Sequence, residues 1–140
     1  MTKKILLGMV LAVLLGVVVI QAQAPPPSGI KRNILVKDDV APMPAMTAYV
    51  VETELPPGAA SGWHVHAGHD FDYVRSGEAI VEIEGKPAQT LKPGMGIHIE
   101  PNVPHNVHND SKTEPFRIST VYLIEQGKPI ATPVPAPAKK

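Results

Sequence analysis

The stretch from Gly58 to Gly77, GAASGWHVHAGHDFDYVRSG, constrains this chain more than any other. Three imidazoles and two carboxylates crowd its middle. Its flanks carry Trp63, Val65, Phe71, Tyr73 and Val74, residue types that favour a pleated surface, between punctuating glycines. On an extended chain, side chains at i and i+2 leave the same face, whereas a helix would separate them. His64 and His66 are therefore expected to aim two neutral imidazole nitrogens at one point, as a divalent transition metal requires.

The chain around this stretch repeats the strand signal, with short apolar runs alternating with turn residues at the spacing of an all-β sandwich or barrel. Expected strands are Ile34 to Lys37, Thr47 to Leu55, Gly62 to His66, Phe71 to Arg75, Glu78 to Glu84, Gln89 to Leu91, Gly96 to Ile99, His105 to His108 and Phe116 to Ile124. Pro56-Pro57-Gly58, Ser76-Gly77, Gly85-Lys86-Pro87, Lys92-Pro93-Gly94, Pro101 to Pro104 and Asn109-Asp110-Ser111 separate them, leaving no room for a helix of about three turns. Ala79, Val81 and Ile83 alternate with Ile80, Glu82 and Glu84, so one face of that strand is the buried one. Other strands are apolar on both faces, as when two sheets close over a core and a partner covers part of the outside.

A chain of 140 residues suits one domain. Its formal net charge is zero, with both signs interspersed and no long basic run, which argues against a nucleic-acid partner. Cysteine is absent, so thiolate ligands, disulfides and a cysteine-linked lipid anchor are excluded. Any metal site must use nitrogen and oxygen.

The first 24 residues have the form of a targeting segment. Lys3 and Lys4 precede an apolar run from Ile5 to Ile20, and Ala22-Gln23-Ala24 supplies a small-x-small cleavage pattern. The apolar run of about 16 residues is short of the roughly 20 that a spanning helix needs, so cleavage is expected rather than anchoring. The expected organisation is a signal peptide over 1–24, a proline-rich spacer over 25–33, the folded domain over 34–127 and a disordered tail over 128–140. The mature protein is expected to be periplasmic or secreted, with no membrane segment.

The central stretch resembles a known motif. Gly58, five residues, His64-x-His66, three residues, Asp70, six residues and Gly77 are similar to the first motif of the cupin superfamily, G(x)5HxH(x)3-4E(x)6G, with Asp70 in place of the usual glutamate. The second motif, G(x)5PxG(x)2H(x)3N, is matched loosely by Gly85 through Asn109. Pro101 stands at the proline, Val103 in place of the glycine, and His105 and Asn109 form the final H(x)3N, with an interval after Gly85 longer than the pattern's. The resemblance spans roughly Thr47 to Ile124 and is nearest to small single-domain cupins of the quercetin-dioxygenase type. It implies a double-stranded β-helix, a jelly-roll barrel holding one metal inside. Carried over residue by residue, the ligands are His64, His66, Asp70 and His105, around Fe, Mn, Ni, Cu or Zn. Asp is one methylene shorter than Glu, so a three-histidine centre with Asp70 orienting a water is the other arrangement the residues allow.

The remaining polar residues have competing readings. His69 turns outward if Asp70 faces in, and Asp72 shares the face of Asp70, as a carboxylate ligand, a general base or a solvated group. His98, Glu100 and His108 are expected outside. Arg75 and Arg117 are candidates to hold a substrate carboxylate, against the commoner role of covering a sheet face with their stems. Asn106 and Asn109 are expected to cap turns, and Tyr49, Tyr73, Tyr122, Phe71 and Trp63 to pack the sheets.

Two functions follow from different classes. The first is an exported metalloenzyme, dioxygenase-type or isomerase, acting on a small enolisable or phenolic substrate with Asp70 or Asp72 as proton acceptor. The second is a periplasmic module that binds a small molecule or metal without turnover; a metal-free barrel with satisfied core histidines is a further alternative. A homodimer is expected, with the segment before the first motif closing a neighbour's sheet edge.

Overall fold

A computed structural model describes residues 29–39, 43 and 45–138. The expected signal segment, residues 25–28 of the spacer, and Lys139 and Lys140 lie outside the described residues. The described chain is all-β, and among these residues no helix is long and apolar enough to cross a membrane.

Among the described residues ten strands form: β1 Lys31–Asp39, β2 Met46–Leu55, β3 His64–Val65, β4 Gly68–Ser76, β5 Ala79–Ile83, β6 Gln89–Leu91, β7 Gly96–Ile99, β8 His105–His108, β9 Phe116–Glu125 and β10 Thr132–Pro133. They make two antiparallel five-stranded sheets, ordered β1-β2-β9-β4-β7 and β10-β3-β8-β5-β6. The long strands owe their pairing to a strict period of two. Along β9, Phe116, Ile118, Thr120, Tyr122 and Ile124 are buried and every other residue faces out. β2 and β4 lie on either side of β9 in matching phase, with Leu55 opposite Phe116 and Asp70 opposite Tyr122. Inward residues on all three strands therefore share one face.

That face changes character along its length. At one end Leu55, Val74, Phe116 and Ile118 meet Val81 and Leu91 of the other sheet in the main apolar core; at the other Val51, Tyr122 and Ile124 form a smaller one. Between them, Thr53, Asp70, Asp72 and Thr120 are buried polar groups. Burying polar side chains costs free energy unless they are paired, so this belt marks where the interior serves something other than packing.

Two glycines fix the loops flanking β4. At Gly68, the carbonyl of Leu123 occupies the place of a Cβ. Gly77, which closes the first motif, has φ of +76° and would drive a Cβ into the Pro115 carbonyl.

The expected boundaries shift at both ends. β1 begins at Lys31, inside the expected spacer, because it pairs with β2 from Lys31↔Glu54 onward. The proline-rich tail is ordered further than expected: Thr132 and Pro133 pair with Val65 and His64, the Val134 amide donates to the Trp63 carbonyl, and Ile130 packs on the smaller core. Pro133 sits on a sheet edge, where a missing amide costs no ladder bond.

Candidate metal centre

The geometry of the site begins with one antiparallel pair. His64 on β3 stands opposite His105 on β8, so two imidazoles from distant parts of the chain leave the same face of the sheet. His66 follows two residues on and returns to that face. The three buried rings lie 4.2 to 4.9 Å apart, centroid to centroid.

Backbone carbonyls orient all three rings. His64 Nδ1 donates to the Gly62 carbonyl at 2.8 Å, His105 Nδ1 to the Val103 carbonyl at 3.0 Å, and His66 Nδ1 to the Ile130 carbonyl. Each bond fixes the tautomer with the proton on Nδ1 and leaves Nε2 as a lone pair. The donor atoms of the three histidines lie within 4.8 Å of one another. Burial holds the imidazoles neutral: it pulls His64 down to about 4 and His105 to about 3, and lowers His66 as well.

Two carboxyls face this cluster from the opposite sheet. Asp70 Oδ2 lies 3.3 Å from His66 Nε2 and 3.9 Å from His105 Nε2. Burial raises Asp70 to about 7, opposed by a hydrogen bond from Asp72. Asp72 is raised well above its ordinary range, by burial first and by the Asp70 charge second. Asp72 thus keeps its proton and donates to Asp70, while the Thr120 hydroxyl donates to Asp72 Oδ1. Tyr122, its ring 4.8 Å from that of His66, completes the wall, its phenol kept neutral by burial and by the two aspartates.

These residues fit a divalent transition ion. His66 Nε2 and Asp70 Oδ1 are buried without a hydrogen-bond partner among the described residues, which native interiors rarely tolerate. Two donors bound at roughly 2.0–2.2 Å to one ion stand about 3–3.6 Å apart, and the Asp70–His66 contact falls in that range. Three imidazole nitrogens, with or without a carboxylate oxygen, suit any of several such metals and leave positions open.

The cupin domain family model matches residues 51–122. This chain is a cupin. Among solved structures, a cupin-like protein from Thermotoga maritima is 26% identical, covering 81% of this chain and 82% of its own, with a TM-score of 0.64. A conserved protein with a double-stranded β-helix domain from Klebsiella pneumoniae is 24% identical over 77% of this chain and 85% of its own, at 0.59. The DMSP lyase DddQ from Ruegeria pomeroyi is 23% identical over 74% of this chain but 51% of its own, at 0.56, and shares the fold. No curated protein sequence matches the chain.

The cupin's second motif reads differently once the turn before β8 is seen. Counting back from His105 at the motif's own spacing puts the glycine at 102 and the opening glycine at 94. Asn102 indeed has φ of +60°, the left-handed conformation that Asn tolerates, and Gly94 has φ of +86°. The motif therefore runs from Gly94, with Glu100 and Asn102 replacing proline and glycine, and the expected start at Gly85 with Val103 at the glycine is corrected. Asn109 closes it, donating to the carbonyls of Leu55, Pro56 and Glu114 while accepting from the Ser111 amide.

Of the other cupin residues weighed in the sequence, His69 faces outward and hydrogen-bonds His98 at 2.9 Å beside Glu100. His108 bonds Asp110 on the surface. Arg75 pairs with Glu52 and Arg117 with Glu54, all on the outer face of the sheet, so neither arginine reaches the interior. Thr120 and the Ile130 carbonyl are contributors the sequence reading missed. Thr120 is in phase with Phe116 and Tyr122 and was open to discovery; a backbone carbonyl in a proline-rich tail leaves no side-chain signal.

Proposed function

We propose that this cupin is an exported metalloenzyme that moves a proton on a small enolisable substrate, an isomerase or lyase in type. One observation carries the reading: a carboxyl that titrates near neutrality, Asp70, stands with a partnerless oxygen against three convergent imidazole lone pairs. His64, His66 and His105 would hold a divalent ion, which when bound supplies Lewis acidity for a carbonyl or enol oxygen. Asp70 takes the substrate proton at Oδ1. Asp72 stays protonated and, by donating to Asp70, steadies the carboxylate form; Thr120 fixes the Asp72 rotamer. Tyr122 and the Ile130 segment keep water from the exchanging proton.

The test is solvent-proton exchange. Metal-loaded protein is incubated in heavy water with a panel of keto acids, diketones and DMSP, the substrate named for the Ruegeria relative, and exchange or product is followed by NMR. Exchange that falls about a hundredfold in Asp70→Asn supports the reading. Absence of exchange or product above a His64→Ala/His105→Ala control sinks it. Substrate-dependent oxygen uptake would point to dioxygenase chemistry, and thermal stabilisation by a ligand that is never converted would make the cupin a binding module.

The export proposal rests on the Lys3-Lys4 pair, the apolar run and the Ala22-Gln23-Ala24 site. Intact mass of protein recovered from outside the cytoplasm is expected to begin at Pro25, and retention of Met1 would refute it.

A further inference from the structure

The chain has three arginines, Arg32, Arg75 and Arg117. Two are committed to Glu52 and Glu54 on the outer surface. The third is placed differently. Arg32 stands opposite Thr53 in the β1–β2 register, and residues opposed in an antiparallel pair share a face. Thr53 is 6% exposed and belongs to the buried polar belt, so Arg32 leaves β1 on the face that Thr53 shares, at the edge of the sheet, where its side chain is exposed. Among the described residues no carboxylate pairs with it, whereas its neighbour Lys31, on the opposite face, pairs with Glu54.

Two further features point to a ligand there. The Thr53 hydroxyl is buried and has no hydrogen-bond partner among the described residues. An orphan hydroxyl beside an unpaired guanidinium is an incomplete polar site. Thr53 also lies one inward position along β2 from Val51, which stands opposite Thr120 on β9, itself opposite Asp72 on β4, so the pair adjoins the belt that faces the candidate metal centre.

We infer that Arg32 and Thr53 form the anion-binding end of the substrate site, and that the cupin's substrate is a small carboxylate whose other end reaches the three histidines. The guanidinium fork holds a carboxylate in two parallel bonds, and the Thr53 hydroxyl donates a third. This deepens the proposed function by naming the substrate class, and rests on it only for the reaction.

The experiment measures binding. Zinc-loaded and metal-free protein are titrated by calorimetry with pyruvate, acetoacetate, malonate and succinate, each beside its neutral amide, while metal content is determined for every variant. At least one carboxylate is expected to bind ten times more tightly than its amide. Arg32→Ala should lose about tenfold or more, and Arg32→Lys should recover part, since a point charge lacks the fork. Thr53→Val is expected to weaken the carboxylate severalfold while the melting temperature holds or rises, a split that a structural role alone would not produce. Carboxylates that bind no better than their amides, or Arg32→Ala and Arg32→Glu variants that bind like the parent, overturn the inference. A chain that takes up no zinc but binds carboxylates through Arg32 sinks the metalloenzyme reading alone; one that takes up zinc and is indifferent to Arg32 sinks this one alone.

Discussion

At the scale of single residues, the site sets histidines and aspartates against each other in their response to pH. In the metal-free fold, His64 at about 4 and His105 at about 3 refuse protons that the unfolded chain accepts below 6.5, so their contribution to stability is lost as pH falls through that interval. Asp70, at about 7 against 3.8, has the opposite sign: its contribution is present below 3.8 and lost as pH rises through 7. Asp70→Asn mimics the protonated form, so metal-free Asp70→Asn is expected to melt above the parent at pH 8–9, with the advantage shrinking toward pH 5; a constant difference across that range would refute the assignment. Metal binding inherits the same logic. Burial lowers all three histidines, His64 to about 4 and His105 to about 3, so the proton displaced by a cation at pH 6 is chiefly the one on Asp70. Calorimetry in buffers of different ionisation enthalpy should find about one proton released at pH 6, close to none at pH 8, and none at either pH in Asp70→Asn. Much of this was legible in the sequence, because a period of two forces His64 with His66 and Asp70 with Asp72. That Asp72 holds its proton more firmly than Asp70 was not, since it depends on how deeply the fold buries Asp72 and on the Asp70 charge beside it, against the opposing hydrogen bond from Thr120 on β9.

At the scale of elements, the site depends on segments with little internal structure of their own. The Ile130 carbonyl holds the His66 ring, and β10 holds the Ile130 segment against β3. Ile130→Ala removes packing and keeps the carbonyl, so it should cost about 1 kcal/mol while leaving metal affinity nearly unchanged. Deleting residues 128–140 removes the carbonyl as well, and metal affinity should fall at least tenfold, the usual cost of losing a ligand's supporting hydrogen bond. Equal metal affinity in both variants would show that the His66 tautomer needs no help from the tail. Asn109 plays the corresponding part after β8: Asn109→Ala strands three backbone carbonyls and is expected to destabilise by about 2–4 kcal/mol, read as a drop of roughly 10 °C in Tm. Asn109 stands out in the sequence as the end of a motif. The tail does not, because a two-residue pairing has no apolar period to find. Nor does the role of Arg32: which face it takes is set by the β1–β2 register, and a bulge between Ile34 and Val36 shifts that register midway along β1.

At the scale of the whole molecule, the outer face of the sheet containing β4 and β9 is more apolar than a lone barrel needs. Phe71 is 42% exposed, Tyr73 54% and Val121 41%, with Phe71 and Val121 directly opposed across β4 and β9. At the sheet edge, β1 adds Ile34, Leu35 and Val36, each about half exposed, on a strand that among the described residues pairs only with β2. A long apolar edge strand beside an exposed apolar face is an aggregation hazard unless something covers it, and a second copy related by a twofold axis is the simplest cover. The expected state is a homodimer: light scattering should give twice the chain mass at micromolar concentration, and Phe71→Lys with Val121→Lys should shift the population to monomer. A parent protein that stays monomeric at tens of micromolar, well above the range of ordinary dimer constants, would refute this. Such a dimer would bear on the site as well, because β1 carries Arg32. If the partner covers β1, the monomeric double variant should keep its metal yet bind small carboxylates more weakly. Unchanged carboxylate binding in that variant would mean that pairing with β2 alone holds Arg32 at the mouth of the barrel.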